Sequence, residues 1–282
     1  MTDDELRAGK ISQLTRGVRR LVAPNPGMMT GPGTNTYLLG SDAIAVIDPG
    51  PSIESHLQRI AGSGTIRWIL VSHTHPDHSP GAARLAQLTG AATVGLPAPK
   101  GPHQDKSFHP ELLPAHGETL DGPDFSLQML RTPGHASNHL CFLHTGCRWL
   151  FTGDHIMSGS TVVIDPPDGD MQAYLASLYD LKKIELNAIA PGHGDVIRDP
   201  QTVIEWIIDH RLMRESRVMK ALAEFPGLSS HELVPHVYAE VDKRLHGWAE
   251  RSLLAHLIKL QKDRRATQHD ERWCTVQGQR RV

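Results

Sequence analysis

The chain has 282 residues, of which 39% are hydrophobic and 21% charged, with a formal net charge of −2. That composition excludes disordered and fibrous classes, and apolar runs such as Ile66–Val71 and Ala43–Ile47 fall far short of the roughly 20 residues a membrane span needs. The acidic opening MTDDELRAGK has no apolar core, and three cysteines (Cys141, Cys147, Cys274) build no disulfide framework, so a cytoplasmic protein with no leader and no membrane partner is expected.

In chain order, the runs Thr36–Leu39, Ala43–Ile47 and Ile66–Val71 read as the first strands. A helix follows, with Ser79 as its cap, Pro80 at its first position and Gly90 past its end. Further strands are predicted at Ala92–Leu96, Ser126–Leu130, His139–Leu143, Arg148–Phe151 and Ala188–Ala190. Asp170 caps a helix over MQAYLASLYDLKKIE, where Leu175, Leu178, Tyr179 and Leu181 recur at helical spacing. The Pro/Gly-rich stretches 23–33 and 95–123 read as long loops. Short strands alternating with helices predict two sheets with helices outside, a layered α/β architecture.

Beyond about residue 200 the apolar period becomes helical throughout. QTVIEWIIDHRLMRESRVMKALAEF forms one helix closed by Pro226 and Gly227. Ser229 and Glu232 make a capping box for a second helix ending near Val241. GWAERSLLAHLIKLQKD forms a third, and RRATQHDERWCTVQ a hairpin. Three helices and a hairpin are the order of a small winged-helix unit, so two domains are expected, 1–205 and 206–282. Charge divides along nearly the same line. Residues 1–210 hold 15 Lys and Arg against 22 Asp and Glu, a net of −7, and residues 211–282 hold 14 against 9, a net of +5. Arg211, Arg214, Arg217 and Lys220 drift around their helix and predict a solvated surface. Arg251, Lys259, Lys262, Arg264 and Arg265 form the better basic patch.

Of the 18 histidines, three crowd into one loop. The strand Ile66–Val71 runs into Ser-His-Thr-His-Pro-Asp-His, which brings His73, His75, Asp77 and His78 to one sheet edge. Histidine is a frequent ligand of divalent metals and carboxylate a common partner, so this loop is the candidate metal site. Three downstream segments each end an apolar run on another ligand type: His135 in TPGH, Asp154 in LFTGD and His193 in APGHG. Small residues beside each let the backbone approach closely. Asp48, ending the strand of AVIDPG, either orients a ligand histidine or caps its own turn. His155, next to Asp154, points the opposite way along a strand and is left out of the ligand set. Cys141 reads as buried filler. Thr34, Asn35 and Thr36 either face the mouth of the site or simply suit a turn.

These segments, in this order over about residues 15–200, resemble the metallo-β-lactamase fold superfamily. The stretches NPGMMTGPGTNTYLLG, FTGDHIMSGSTVVIDPPDGDMQAYLASL and LHGWAERSLLAHLIKL resemble, within it, the β-lactamase-like-protein-2 family, a hydrolase core joined to a C-terminal winged-helix-like domain. The resemblance implies a four-layer αββα sandwich. It also implies two divalent ions, zinc first with iron or manganese as alternatives: one on His73, His75 and His135, a second on Asp77, His78 and His193, with Asp154 bridging. Two such ions share a hydroxide as nucleophile and polarise the scissile bond. Asp77 would then be both ligand and orienting carboxylate. His139 would line the site as a non-ligand that hydrogen-bonds substrate; a histidine packed at a strand start is the equal alternative.

The expected function is a dinuclear metal-dependent hydrolase. The family resemblance implies a phosphodiesterase or endoribonuclease acting on single-stranded RNA, helped by the basic patch; the alternative is a thioester or ester hydrolase. A secreted β-lactamase fits badly without a leader, and a vestigial binding module does not explain an intact set of seven ligands. Large RNA-processing members with an inserted domain are excluded, because only 39 positions separate Asp154 from His193.

Overall fold

In the computed structural model, which describes residues 6–276, the first sheet begins earlier than expected. Two strands, β1 (Ile11–Thr15) and β2 (Val18–Val22), form a hairpin ahead of β3 (Asn35–Leu39) and β4 (Ile44–Ile47). Arg19 and Arg20 interrupt the apolar alternation that marks a strand, which hides β2 from a reading of periodicity. Helix α1 (Glu54–Ala61), also unforeseen, leads to β5 (Ile66–Leu70), α2 (Gly81–Thr89) and β6 (Ala92–Val94). The sheet order is β1-β2-β3-β4-β5-β6, antiparallel up to β4 and parallel beyond it. Gly90 closes α2 in the left-handed conformation, but Ser79 does not cap it. Its hydroxyl instead donates to Asp105.

The second sheet holds β7 (Thr119–Asp121), β8 (Ser126–Arg131), β9 (Leu140–His144), β10 (Trp149–Gly153) and β11 (Ala188–Pro191), in the order β11-β10-β9-β8-β7. The strand β7 cuts short the loop expected to run to residue 123. Between β10 and β11 lies α3 (Met171–Lys182), capped by Asp170 through the amides of Gln172 and Ala173.

Period-two alternation explains why the sheets stack. Tyr37 and Leu39 of β3, Phe142 of β9 and Phe151 of β10 face inward and form the core between the sheets. Leu38 and Val46 face outward to pack on Leu57 and Ile60 of α1 and Leu85 of α2. On the other side, Cys141, Leu143 and Leu150 pack on Tyr174 and Leu178 of α3. Helix, sheet, sheet, helix is the expected four-layer αββα sandwich.

A helix of 25 residues, α4 (Pro200–Glu224), carries the chain out of this core. Its first half gives Ile204, Ile207 and Ile208 to the α3 layer, and its second half gives Val218 and Leu222 to a separate core. One continuous helix thus crosses the boundary expected at residue 205. The second core also contains α5 (Ser230–Val237), α6 (His246–Lys262) and a three-stranded sheet of β12 (Leu228–Ser229), β13 (Ala266–His269) and β14 (Arg272–Thr275). Leu233, Leu253, Leu257 and Trp273 pack at its centre. The Ser229–Glu232 capping box is present, although α5 ends at Val237, short of Val241. This is a winged-helix unit. Among the described residues no helix is long and apolar enough to cross a membrane.

Candidate metal centre and the cavity above it

All seven expected ligands converge at one edge of the sandwich. His73, His75 and His135 form one group whose ligand-type atoms lie within 4.8 Å of one another. Asp77, His78 and His193 form a second, and Asp154 joins His73 and His78 in a third. Asp154 thus sits between the two halves. Its Oδ1 is 3.3 Å from both His78 Nε2 and His193 Nε2, and its Oδ2 is 3.8 Å from His135 Nε2.

Local structure brings them together. The parallel strands β4 and β5 end at Ile47 and Leu70, and the Asp48 amide donates to the Leu70 carbonyl, so the loop that follows β5 emerges beside Asp48. Gly192 lets His193 approach: a Cβ there would lie 2.6 Å from Asp154 Oδ1 and 2.8 Å from the His78 ring. Gly134, at φ +147°, lies against the backbone of Tyr174, where any side chain would collide with α3.

A layer behind the ligands sets their tautomers. Asp48 accepts from the Ser72 amide and hydroxyl, each at 2.7 Å, and its Oδ2 lies 2.9 Å from His78 Nδ1. This settles the role of Asp48: it orients a ligand-type histidine. Because the Ser72 hydroxyl donates to Asp48, its oxygen accepts from His73 Nδ1–H at 3.0 Å. The carbonyl of Val163 accepts from His135 Nδ1–H at 2.8 Å, and that of Gly33 from His193 Nδ1–H at 3.2 Å. In each ring the proton is held at Nδ1, so the Nε2 lone pair faces the centre. Ser72 and the carbonyls of Val163 and Gly33 went unnoticed in the sequence. Only the adjacency of Ser72 to His73 signalled any of them.

The two halves differ in proton affinity. His73 Nε2 and His135 Nε2 stand 2.9 and 3.0 Å from His75 Nδ1. Burial, then the positive charge of neighbouring histidines, holds His73 well below the ordinary histidine range and His75 down to about 3. A neutral His75 has a single proton to offer these two lone pairs, whereas a cation among the three nitrogens would satisfy all of them. In the other half, burial opposes protonation but the carboxylates outweigh it. Asp77, Asp154 and Asp48 raise His78 well above its ordinary value, and Asp154 and Asp77 raise His193 to about 10. Asp77 and Asp154 lie correspondingly low, because the attraction of these histidines outweighs their burial. Buried His78 Nε2 and Asp154 Oδ1 have no hydrogen-bond partner. Converging lone pairs, orphaned donor-type atoms and a bridging carboxylate fit two divalent cations.

His139 is fully buried and stacks on His73 with ring centroids 5.0 Å apart. The Thr132 hydroxyl donates to Cys141 Sγ and accepts from His139 Nδ1–H at 3.0 Å. His139 belongs to none of the ligand groups and does not line the cavity. His155 is likewise buried, against Tyr174. Cys141 is filler, with burial pushing its thiol up to about 12. Thr34 Oγ1 lies 3.5 Å from Asp77 Oδ2, whereas the Asn35 amide is spent on the carbonyls of Pro191 and Gly194.

A cavity of about 640 Å³ opens over the centre. His75, Asp77, His135 and Asp154 form one end, and Met28, Met157, Val162 and Val163 flank it. The winged-helix unit supplies Tyr238, Leu245, Trp248 and Ala249, and α4 supplies Arg211 and Arg214. The last two correct the reading of a solvated face, since they are only 3% and 5% exposed. The basic patch is also changed by folding. Arg251 pairs with Asp165, Lys262 with Asp170, and both Lys259 and Arg265 with Glu215.

Comparison with known proteins accounts for this arrangement. Residues 29–193 match the metallo-beta-lactamase superfamily, and residues 229–273 the beta-lactamase associated winged helix domain. The beta-lactamase-like protein 2 homolog of Drosophila melanogaster is 32% identical over 274 residues, covering 90% of each chain. The atrochrysone carboxyl ACP thioesterase of Aspergillus fumigatus is 30% identical over 224 residues, 76% of this chain and 67% of that one. A beta-lactamase domain protein from Burkholderia ambifaria shares the fold at a TM-score of 0.79 and 20% identity, covering 95% of this chain and 94% of its own. The chain therefore belongs to the metallo-beta-lactamase superfamily, as a hydrolase of the group that joins this core to a winged-helix domain and includes the beta-lactamase-like protein 2 homologs.

Proposed function

We propose that the protein is a metal-dependent thioesterase that hydrolyses acyl thioesters in the cavity between its two domains. The observation that carries this reading is the cavity itself, a partly open space of about 640 Å³ in which Met28, Met157, Val162, Val163 and Trp248 give apolar wall beside the ligand cluster, room and lining for an acyl chain. Single-stranded RNA needs a groove that tracks several nucleotides with free basic residues and successive stacking aromatics. Four of the five basic residues that favoured RNA are held in ion pairs within the chain. The Aspergillus relative, named as an acyl-carrier thioesterase, points the same way.

Two divalent ions, zinc or alternatively iron or manganese, would supply nucleophilic water at neutral pH and polarise the carbonyl oxygen. His73, His75 and His135 would hold one, Asp77, His78 and His193 the other, and Asp154 both. The chain's other residues prepare that site. Asp48 and Ser72 keep His78 and His73 aimed at the centre, and the Val163 and Gly33 carbonyls do so for His135 and His193. His139, pressed on the back of the His73 ring, fixes its plane as a positioning residue. Asp77 Oδ2 accepts hydrogen bonds at the cavity wall and orients attacking water. Met157, Val162 and Val163 exclude bulk water. Water adds to the thioester carbonyl, the carbon–sulfur bond breaks, and an acid and a thiol leave. The test is turnover of acyl thioesters by protein loaded with zinc, manganese or iron, with and without chelator. Chelator-sensitive release of thiol is expected. Cleavage of single-stranded RNA by a preparation that leaves thioesters intact would overturn the reading.

A further inference from the structure

The wall that α4 gives the cavity carries surplus positive charge. Arg211 and Arg214, three apart on α4, are almost fully buried and both line the cavity. Arg211 gives one guanidinium hydrogen to the Val162 carbonyl and stacks 5.3 Å over the Tyr174 ring. It pairs with no carboxylate among the described residues. Arg214 is held by the Val237 carbonyl and by Glu240, which is half exposed and shared with Arg217. The Nε of each arginine has no partner. Of the other acids that line the cavity, Asp165 is paired with Arg251 and Asp168 accepts from Gln104 and Ser137, so neither is paired with Arg211. Burial and then Arg211, Arg214 and Arg217 drive His210 down to about 4, and burial with Arg211 and Arg214 holds His256 of α6 well below its usual range. Glu215, the other buried acid of α4, is taken by Lys259 and Arg265. Leaving a guanidinium buried without a counter-ion costs several kcal/mol. A purely structural arginine at Arg211 would face an acid from α6; here α6 presents His256.

We propose that Arg211 and Arg214 form a subsite for a carboxylate at the far end of the substrate's apolar chain. On the thioesterase reading above, on which this rests, that chain is the acyl group. Its scissile carbonyl lies at the ligand cluster, its middle between Val162, Met157 and Trp248, and its ω-carboxylate against the guanidinium N–H donors of Arg211 and Arg214. Arginine presents these donors in a planar fork that matches a carboxylate. A phosphate borne on the thiol side stays tethered to its carrier outside the protein.

Calorimetric titration of the full, zinc-loaded protein with suberate and with octanoate reads this subsite without turnover. The two probes share a chain length and differ in the second carboxylate. Suberate is expected to bind roughly tenfold more tightly or better, Arg211→Gln to erase the difference, and Arg211→Lys to restore part of it. Equal affinities in the unsubstituted protein overturn the proposal, whatever the variants do. Turnover then separates the sources of negative charge. Octanoyl and 7-carboxyheptanoyl thioesters are compared on N-acetylcysteamine, which has no phosphate, and on phosphopantetheine. The ω-carboxylate is expected to lower KM on both thiols with kcat little changed. A preference that follows the phosphate and disappears in Arg211→Gln overturns the carboxylate assignment. If no thioester is hydrolysed while suberate keeps its advantage, the thioesterase reading falls and the subsite stands.

Discussion

The two ends of the cavity are built on opposite principles. At the ligand end, negative and neutral donors converge on a common point, and each is oriented from behind by a hydrogen bond that fixes its proton. At the α4 end, cations are gathered with few anions to meet them. One end gathers ligand-type atoms that a cation would satisfy, and the other holds Arg211 with no carboxylate partner among the described residues. In the winged-helix domain Arg251, Lys259, Lys262 and Arg265 are each held by a carboxylate of the chain, which leaves less of that patch for a polyanion.

Breaking the ligand end should have the largest effect. Asp154→Asn removes the carboxylate shared by both halves, so activity on thioesters should fall by on the order of a thousandfold or more. The fold should persist, because Asp154 packs on ligands and not in the apolar cores; circular dichroism checks this, and elemental analysis should show reduced metal content. His155→Gln, one position along, should keep its metal. Equal loss of metal from both variants would place the shared ligand on the wrong residue.

That contrast also shows what a sequence can reveal. His73, His75, Asp77 and His78 share one loop, and His135, Asp154 and His193 each end an apolar run beside a glycine. A chemistry assembled from strand ends announces itself locally. The charges of the other region do not, because their partners lie far along the chain: Arg251 meets Asp165, and Lys262 meets Asp170. Nothing near Arg211 or Arg214 distinguishes a helix position facing Tyr174 from one facing water. The same reason hid β1, β2 and α1. Arg20 lies in a strand and is fully buried, yet it reads as a surface residue because its partner, Asp195, is supplied by the segment after β11.

Proton linkage offers a second way to sharpen the comparison, this time within the ligand end. In metal-stripped protein, His193 binds its proton more tightly folded than unfolded. Its stabilising contribution is complete below about pH 6.5 and lost as pH rises towards about 10. His73 and His75 have the opposite sign: both are depressed, His75 to about 3, so their contribution is present above about pH 6.5 and lost as pH falls towards 3. The apo protein should therefore melt at its highest temperature near neutrality and lose several degrees on either side. Adding zinc should raise and flatten the alkaline limb, since the metal replaces the proton on His193. An alkaline limb identical with and without metal would show that His193 is not a ligand.

In the winged-helix domain the largest effect should come from Glu215, which is buried and holds both Lys259 and Arg265. Glu215→Gln takes the carboxylate from Arg265 and leaves Lys259, itself only 14% exposed, with Asp263 as its one remaining acidic partner. Removing one partner of a buried pair typically costs about 3 kcal/mol, and thermal unfolding should register it as a clear drop in Tm. Activity of the folded fraction should change little, because Glu215 does not line the cavity. A Tm within a degree of the unsubstituted protein would mean that the cluster is solvated after all.

The smallest effect should come from the pairs that tie the two domains together at the surface. Arg251–Asp165 and Lys262–Asp170 are each between a third and a half exposed. Such pairs contribute about 1 kcal/mol or less and are screened by salt. Lys262→Ala should therefore barely move Tm, and it should leave thioester turnover unchanged from roughly 50 to 200 mM salt. This near-absence of effect separates the two substrate classes. If Lys262 met a phosphate backbone instead of Asp170, its loss would weaken RNA binding and flatten the dependence of affinity on salt by about one phosphate contact. Because Asp170 also caps α3 through the amides of Gln172 and Ala173, its carboxylate stays in place whether or not Lys262 is present. The lysine has a fixed partner that an RNA phosphate would have to displace. Measured salt slopes for RNA that are steep in the unsubstituted protein and shallower in Lys262→Ala would reverse this argument and return the winged-helix domain to a role in nucleic-acid binding.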